Sequence, residues 1–167
     1  LVLESNKEMK SNILNEAEKY KIENYRIIFL EKINFEDHLS RHSLADLFLD
    51  SFNYNAHTSA VDALWTGLPI LTKVGNSFSS RICGSLLKYF GIDELLTYNE
   101  NDYFNRAVKI AQNQEYFKLI KQKIIKAKKS KKYFDTKTYT VNLEKAYKTI
   151  HKMRIQQNNV ANVYIRE

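Results

Sequence analysis

The stretch NAHTSAVD, Asn55 to Asp62, places one imidazole, two hydroxyls and one carboxylate close together. His57, Thr58 and Ser59 stand directly ahead of a short segment with helical spacing. Asp62 follows one turn along the same face. A helix that opens at this point has first-turn N–H groups without partners and a partial positive charge. Phosphate is a natural ligand of such an end. The hydroxyls of Thr58 and Ser59 and a ring N–H of His57 can add donors there. The Asp62 carboxylate can accept from the two hydroxyls of a ribose. Diphosphate plus ribose, a nucleotide, is therefore one coherent ligand. A second coherent reading needs no ligand: Thr58 or Ser59 caps the helix, and Asp62 complements its dipole. So short a motif does not separate the two.

The elements around it narrow the choice. All four glycines (Gly67, Gly75, Gly84, Gly91) and the one proline, Pro69, lie between positions 67 and 91, so tight turns concentrate mid-chain. TSAVDALWT reads as a helix with Ala60, Ala63 and Leu64 on one side, ended by Gly67 in the left-handed cap position and followed by Pro69. Trp65 and Leu64 read as core. DLFLD (Asp46 to Asp50) before it and PILT after it read as strands, and so does YRIIFL (Tyr25 to Leu30). KEMKSNILNEAEKYKI and EDHLSRHSL have helical spacing. SSRICGSLLKYF reads as a further helix that Gly91 stops. Strand and helix thus alternate, which predicts an α/β fold with a parallel sheet and helices on both faces. Ligands of such sheets bind outside the carboxyl ends of the strands, where NYNAHTSA falls. After Asn99 the pattern changes to three helices without Gly or Pro: DYFNRAVKIAQN, EYFKLIKQKIIKAKK and KTYTVNLEKAYKTIHKMRI. The end, QQNNVANVYIRE, is polar and reads as frayed.

Composition sets outer bounds. The chain has 167 residues, 44% apolar, enough for one domain with a core. Its formal charge of +7 favours acidic partners. KAKKSKK (Lys126 to Lys132) reads as a solvated face, and no nucleic-acid module accompanies it, so nucleic acid is not an expected partner. The single cysteine, Cys83, excludes an internal disulfide and reads as a buried thiol. No apolar run reaches 18 residues, so membrane insertion is not expected, and LVLESNKEMK is too short in its apolar part for a signal peptide. A cytoplasmic setting fits. The absence of an initiator Met reads as a piece whose upstream part is missing.

A longer comparison favours the nucleotide. The segment LADLFLDSFNYNAHTSAVDALWTGLPILTKVGNSFSSRICGSLLKYFGIDELL resembles the carboxyl-terminal catalytic lobe of O-linked N-acetylglucosamine transferases, glycosyltransferase family 41. The family pattern there runs ADxxLDTxPYNxHTTxxDALWxGxPVxTxxGxxFxSRVxxSLLxxxGxxELI. The likeness extends upstream through RIIFLEKINFEDHLSRH and downstream to YFDTKTYTVNLEKAYKTI.

The resemblance implies a Rossmann-like lobe of a GT-B fold over residues 1–155, with a polar tail at 156–167. It implies a UDP-sugar donor held by this lobe and an inverting transfer of GlcNAc, or a related sugar, to Ser or Thr of an acceptor protein or peptide. By position, His57, Thr58 and Ser59 would cradle and stabilise the diphosphate, and Asp62 would hold the ribose. His38 would stand beside the nucleotide and Arg41 near the uracil. The backbone of Ile33 would meet the uracil edge. Phe35 stands where many relatives carry Lys or Arg, so it would face the base with a ring instead of a charge. The resemblance implies no metal or other cofactor, and no Asp-x-Asp motif occurs. It also implies partners outside this chain: an amino-terminal catalytic lobe and tetratricopeptide repeats that hold acceptors. Two alternatives stay open, an Asn-glucosyltransferase of the same family and a non-catalytic nucleotide-binding or interaction module. Ser79 to Arg81 reads either as a second anion site or as a helix cap with a buried ion pair. Tyr54 either faces the ligand or braces the loop. His42 and His151 read as surface residues.

Overall fold

Short apolar runs become short parallel strands in the computed structural model, which describes residues 1–130, 134–156 and 162–165. Strand β1 (Val2–Leu3) leads to helix α1 (Lys7–Lys19) and strand β2 (Phe29–Leu30). Helix α2 (Phe35–Ser40) continues into a 3-10 turn, Arg41–Leu44, and then strand β3 (Phe48–Leu49). Helix α3 (Thr58–Thr66), strand β4 (Ile70–Lys73), helix α4 (Ile82–Tyr89) and strand β5 (Leu96–Thr97) follow. Helices α5 (Glu100–Gln112), α6 (Gln114–Lys129) and α7 (Thr136–Ile155) complete the order.

Every strand pairing is parallel. One sheet joins β1 to β2 through Val2–Phe29 and Leu3–Leu30. The other has the order β3-β4-β5, with Phe48 opposite Ile70 and Thr72 opposite Leu96. Helices α3, α4 and α5 all pack against β4. Ile70, Leu71 and Thr72 are accordingly buried, as are Leu64 of α3 and Cys83 and Leu87 of α4. Two compact units divide the chain, Leu1–Ile125 and Lys126–Glu167. The first contains both sheets and the core just described. The second contains the end of α6 and all of α7, which has no buried residue.

The α/β alternation and the bounds of α3 agree with the sequence reading. Gly67 ends α3 at φ 85°, where a side chain would be strained. Several expectations are corrected. The strand read over Tyr25 to Leu30 keeps only its last two residues. Asn24–Arg26 forms a 3-10 turn instead, closed by Ile27 N donating to Asn24 O at 3.1 Å. The helix read from Ser79 starts at Ile82, because Ser77 to Ser80 fold into a serine-bonded turn. Strands β1 and β5 were not expected. Trp65 is 45% exposed and does not belong to the core, whereas Leu64 does. Lys126, Lys128 and Lys129 are exposed, as a solvated face requires. Lys131, Lys132 and most of the tail expected to fray lie outside the described residues.

Candidate nucleotide site

The loop between β3 and α3 is built around Asp50, which is buried at the carboxyl end of β3. Its Oδ1 accepts from the amides of Ser51 at 2.9 Å and Ala56 at 2.7 Å. Its Oδ2 accepts from the Thr72 hydroxyl of β4 at 2.6 Å. The Tyr103 hydroxyl donates to the Asp50 carbonyl at 3.0 Å. Burial, and then the Asp50 charge, push the Tyr103 phenol up, so it remains a donor. The same two causes push the Cys83 thiol up. Cys83 is thus the inert buried thiol expected.

The middle of the loop also rests on Ser79. The Asn55 amide donates to Ser79 O at 3.0 Å, and Ser79 Oγ donates to Asn53 O at 3.3 Å. Tyr54 is exposed and stacks on the His57 ring at 4.7 Å and 16°. It therefore braces the loop at His57. His57 Nε2 lies 3.4 Å from Ser79 O.

His57 is the N-cap of α3, at φ −105° and ψ −95°, and its side chain bonds to no first-turn amide. Helices α1, α2, α5 and α7 are each capped by Asn6, Asn34, Asn99 and Asp135. α3 has no side-chain cap and no acidic residue in its first turn, two features that α4, with Arg81 at its cap, shares. Thr58 and Ser59 lie inside the first turn, so neither is the cap. The positive end of α3 is thus left open beside two hydroxyls and an imidazole. Asp62 is half-buried one turn on. Among the described residues its carboxylate has no hydrogen bond or ion pair, while its carbonyl accepts from Thr66 Oγ1 at 3.0 Å.

Helix α2 packs beside α3. The Arg41 guanidinium lies 2.6 Å from His38 Nδ1 and donates to Glu31 O at 2.9 Å. Arginine has only donors, so His38 Nδ1 accepts and the ring proton sits on Nε2. Arg41 thereby fixes both His38 and the loop leading to Ile33. Ile33 and Phe35 are exposed, and Asn34 between them caps α2 by accepting from Asp37 N at 2.9 Å. His42, read as a surface residue, is half-buried. It lies edge-on to His38 at 5.0 Å, and its Nδ1 is 3.0 Å from Thr66 Oγ1. Burial, and then the His38 ring, lower its pKa against the opposing pull of Asp62. His151 is exposed.

The structure therefore brings His57, Thr58, Ser59 and Asp62 onto one helix, with His38 and Arg41 on the neighbouring element. Arg81 is the N-cap residue of α4, is exposed and forms no ion pair among the described residues, so the buried pair of the capping alternative is absent there. Sequence reasoning missed Asp50. The available signal was a carboxylate closing an apolar strand immediately before a polar loop. A cleft of about 420 Å³ lined by Asp46, Leu47, Ile110 and Phe117 includes none of these residues. Among the described residues, no group of three or more His, Cys, Asp or Glu could hold a metal ion. No helix there is long and apolar enough to cross a membrane.

Comparison with known proteins decides the family. The model of Glycosyl transferase family 41 matches residues 2–143. The chain belongs to glycosyl transferase family 41. Within this family it is 34% identical over 119 residues to the UDP-N-acetylglucosamine--peptide N-acetylglucosaminyltransferase of Caenorhabditis elegans, covering 71% of this chain and 10% of that protein. It is 30% identical over 123 residues to the probable enzyme SEC of Arabidopsis thaliana, covering 73% of this chain and 13% of that one. The fold is similar to that of the Thermobaculum terrenum O-GlcNAc transferase mutant K341M. It matches with a TM-score of 0.78 at 24% identity, over 85% of this chain and 27% of that one. The chain thus spans about a tenth of the length of these two curated relatives.

Proposed function

We propose that this chain is the donor-binding part of a protein O-glycosyltransferase that uses a UDP-sugar. The observation that carries the reading is the open end of α3. His57, Thr58 and Ser59 stand there without a side-chain cap, and one turn on lies the Asp62 carboxylate, which has no hydrogen bond or ion pair among the described residues. The diphosphate would lie against the first-turn amides, the two hydroxyls and the His57 ring, and Asp62 would accept from the ribose. His38, Arg41, Ile33 and Phe35 would border the base. Here Phe35 offers a ring face for stacking in place of a cation.

The chemistry follows from charge. The acceptor oxygen bonds to the anomeric carbon as the bond from that carbon to the diphosphate breaks, with inversion, and the hydroxyl proton passes to the departing diphosphate or to water. The leaving diphosphate takes the electron pair and gains negative charge. Donors fixed around it before reaction lower the barrier. In this reading the helix end and His57 supply that stabilisation, and no resident metal or organic cofactor takes part. The acceptor is Ser or Thr of a protein, and the transferred sugar is GlcNAc or a related sugar. A cytoplasmic location, an amino-terminal catalytic lobe and acceptor-holding tetratricopeptide repeats belong to the same proposal. The names of the relatives support it, since they describe UDP-N-acetylglucosamine and peptide as substrates.

The test is transfer of labelled sugar. A protein in which this chain follows the amino-terminal half of a family-41 catalytic region is given UDP-GlcNAc or UDP-glucose, with Ser/Thr or Asn peptides. Labelling of the Ser/Thr peptide from UDP-GlcNAc, lost in His57→Ala, is the expected result. Labelling only of Asn would move the chain to the alternative activity, and no labelling would contradict the proposal.

A further inference from the structure

We propose that Asp50 is a positioning residue for the diphosphate cradle, an inference that rests on the donor-binding reading above. Asp50 touches none of the residues assigned to the nucleotide. Its Oδ1 instead bonds to Ser51 N and Ala56 N, the two ends of the loop that delivers His57. Its Oδ2 fastens that loop to Thr72 in the central strand β4. One buried carboxylate thus fixes where α3 begins relative to the sheet.

The arrangement also answers an electrostatic problem. An anion buried near a phosphate site would repel the ligand. Three donors at 2.6 to 2.9 Å meet this carboxylate, and charge-assisted hydrogen bonds of that length are strong. Deleting it would leave the Ala56 amide unpartnered directly before the His57 cap, so the loop would relax at the point where the diphosphate binds. Asparagine preserves the geometry. Its carbonyl oxygen can accept from both amides while its NH₂ donates to Thr72 Oγ1.

The experiment is calorimetric titration of UDP, and separately of uridine, into the chain and its Asp50→Asn and Asp50→Ala variants. Thermal melts establish that each is folded at the titration temperature. Asp50→Ala is expected to bind UDP about tenfold more weakly and uridine by a much smaller factor, because the clasp ends directly at the His57 cap whereas Asp62 lies one turn further along α3. Asp50→Asn is expected to stay within about threefold of the parent. Should Asp50→Ala fail to fold, Thr72→Val removes the third donor and is expected to weaken UDP alone, by about threefold. Parental UDP affinity in a folded Asp50→Ala or Thr72→Val overturns the proposal. So does an equal loss for UDP and uridine, which would mark a general structural role. A parent that binds UDP no more tightly than uridine would instead sink the diphosphate reading, and this inference with it.

Discussion

At the scale of single residues, the site depends on a few polar groups whose freedom or fixation the structure makes explicit. The HTS triplet was legible in the sequence because its residue types are donors, but its meaning was not. Capping and ligand binding use the same residues. Position argues against capping: Thr58 and Ser59 lie inside the first turn, and His57, at the cap, bonds to no first-turn amide through its side chain. Asp50 was illegible because a carboxylate at a strand end is normally solvated. Only the fold shows that it is buried with three donors around it. The wall behind the loop makes a further prediction. A Cβ on Gly75 would sit 2.4 Å from Ser80 Oγ and 2.8 Å from Ser80 Cβ. Ser80 is buried, and its hydroxyl oxygen is held by the Ser77 amide at 3.1 Å and the Ser77 hydroxyl at 2.8 Å. It cannot turn away cheaply. Gly75→Ala is expected to destabilise the chain by about 1–3 kcal/mol, read as a lower midpoint in urea. An unchanged midpoint would show that the serine turn yields.

Among the elements, legibility followed length and punctuation. Helix α3 was readable to the residue because Gly67 and Pro69 terminate it and its apolar residues share a face. Helices α5, α6 and α7 were readable from their spacing. Strands β1 and β5 have two residues each, too few to show a pattern, and exist because a neighbour pairs with them. YRIIFL misled because its β-branched residues stand at its centre, while Tyr25 at its start is 81% exposed in a turn. The 3-10 turn Asp93–Leu95, ahead of β5, is tied to α5 and α6 by Glu94. The Glu94 carbonyl accepts from Arg106, and its carboxylate pairs with Lys123. Burial works against the Glu94 charge, but the Lys123 ammonium, the local amide and Arg106 outweigh it and hold the carboxyl below its usual range. A carboxyl depressed in the folded state adds stability that is present above the ordinary value of 4.5 and lost as pH falls through the folded value. Lys123→Ala is therefore expected to flatten the loss of stability as pH falls below the ordinary carboxyl value of 4.5 in urea melts. Identical pH profiles for parent and variant would show that this pair does not set the acid limb.

For the whole molecule, the family is firm and the chain is a small share of its relatives' length. The model of glycosyl transferase family 41 matches residues 2–143, whereas the chain spans only 10% of the Caenorhabditis elegans relative. The net charge of +7 suits an anionic partner, but charge alone names no ligand. The order of elements supplies what charge cannot: a parallel sheet that places an open helix end at the carboxyl edge of β3. The most direct measurement is calorimetric titration of UDP into this chain beside a His57→Ala, Asp62→Ala double variant. The account predicts saturable binding by the parent and at least about a tenfold loss in the variant. Equal affinity in the two would contradict it. So would silence from both once the amino-terminal half of a family-41 catalytic region is joined upstream.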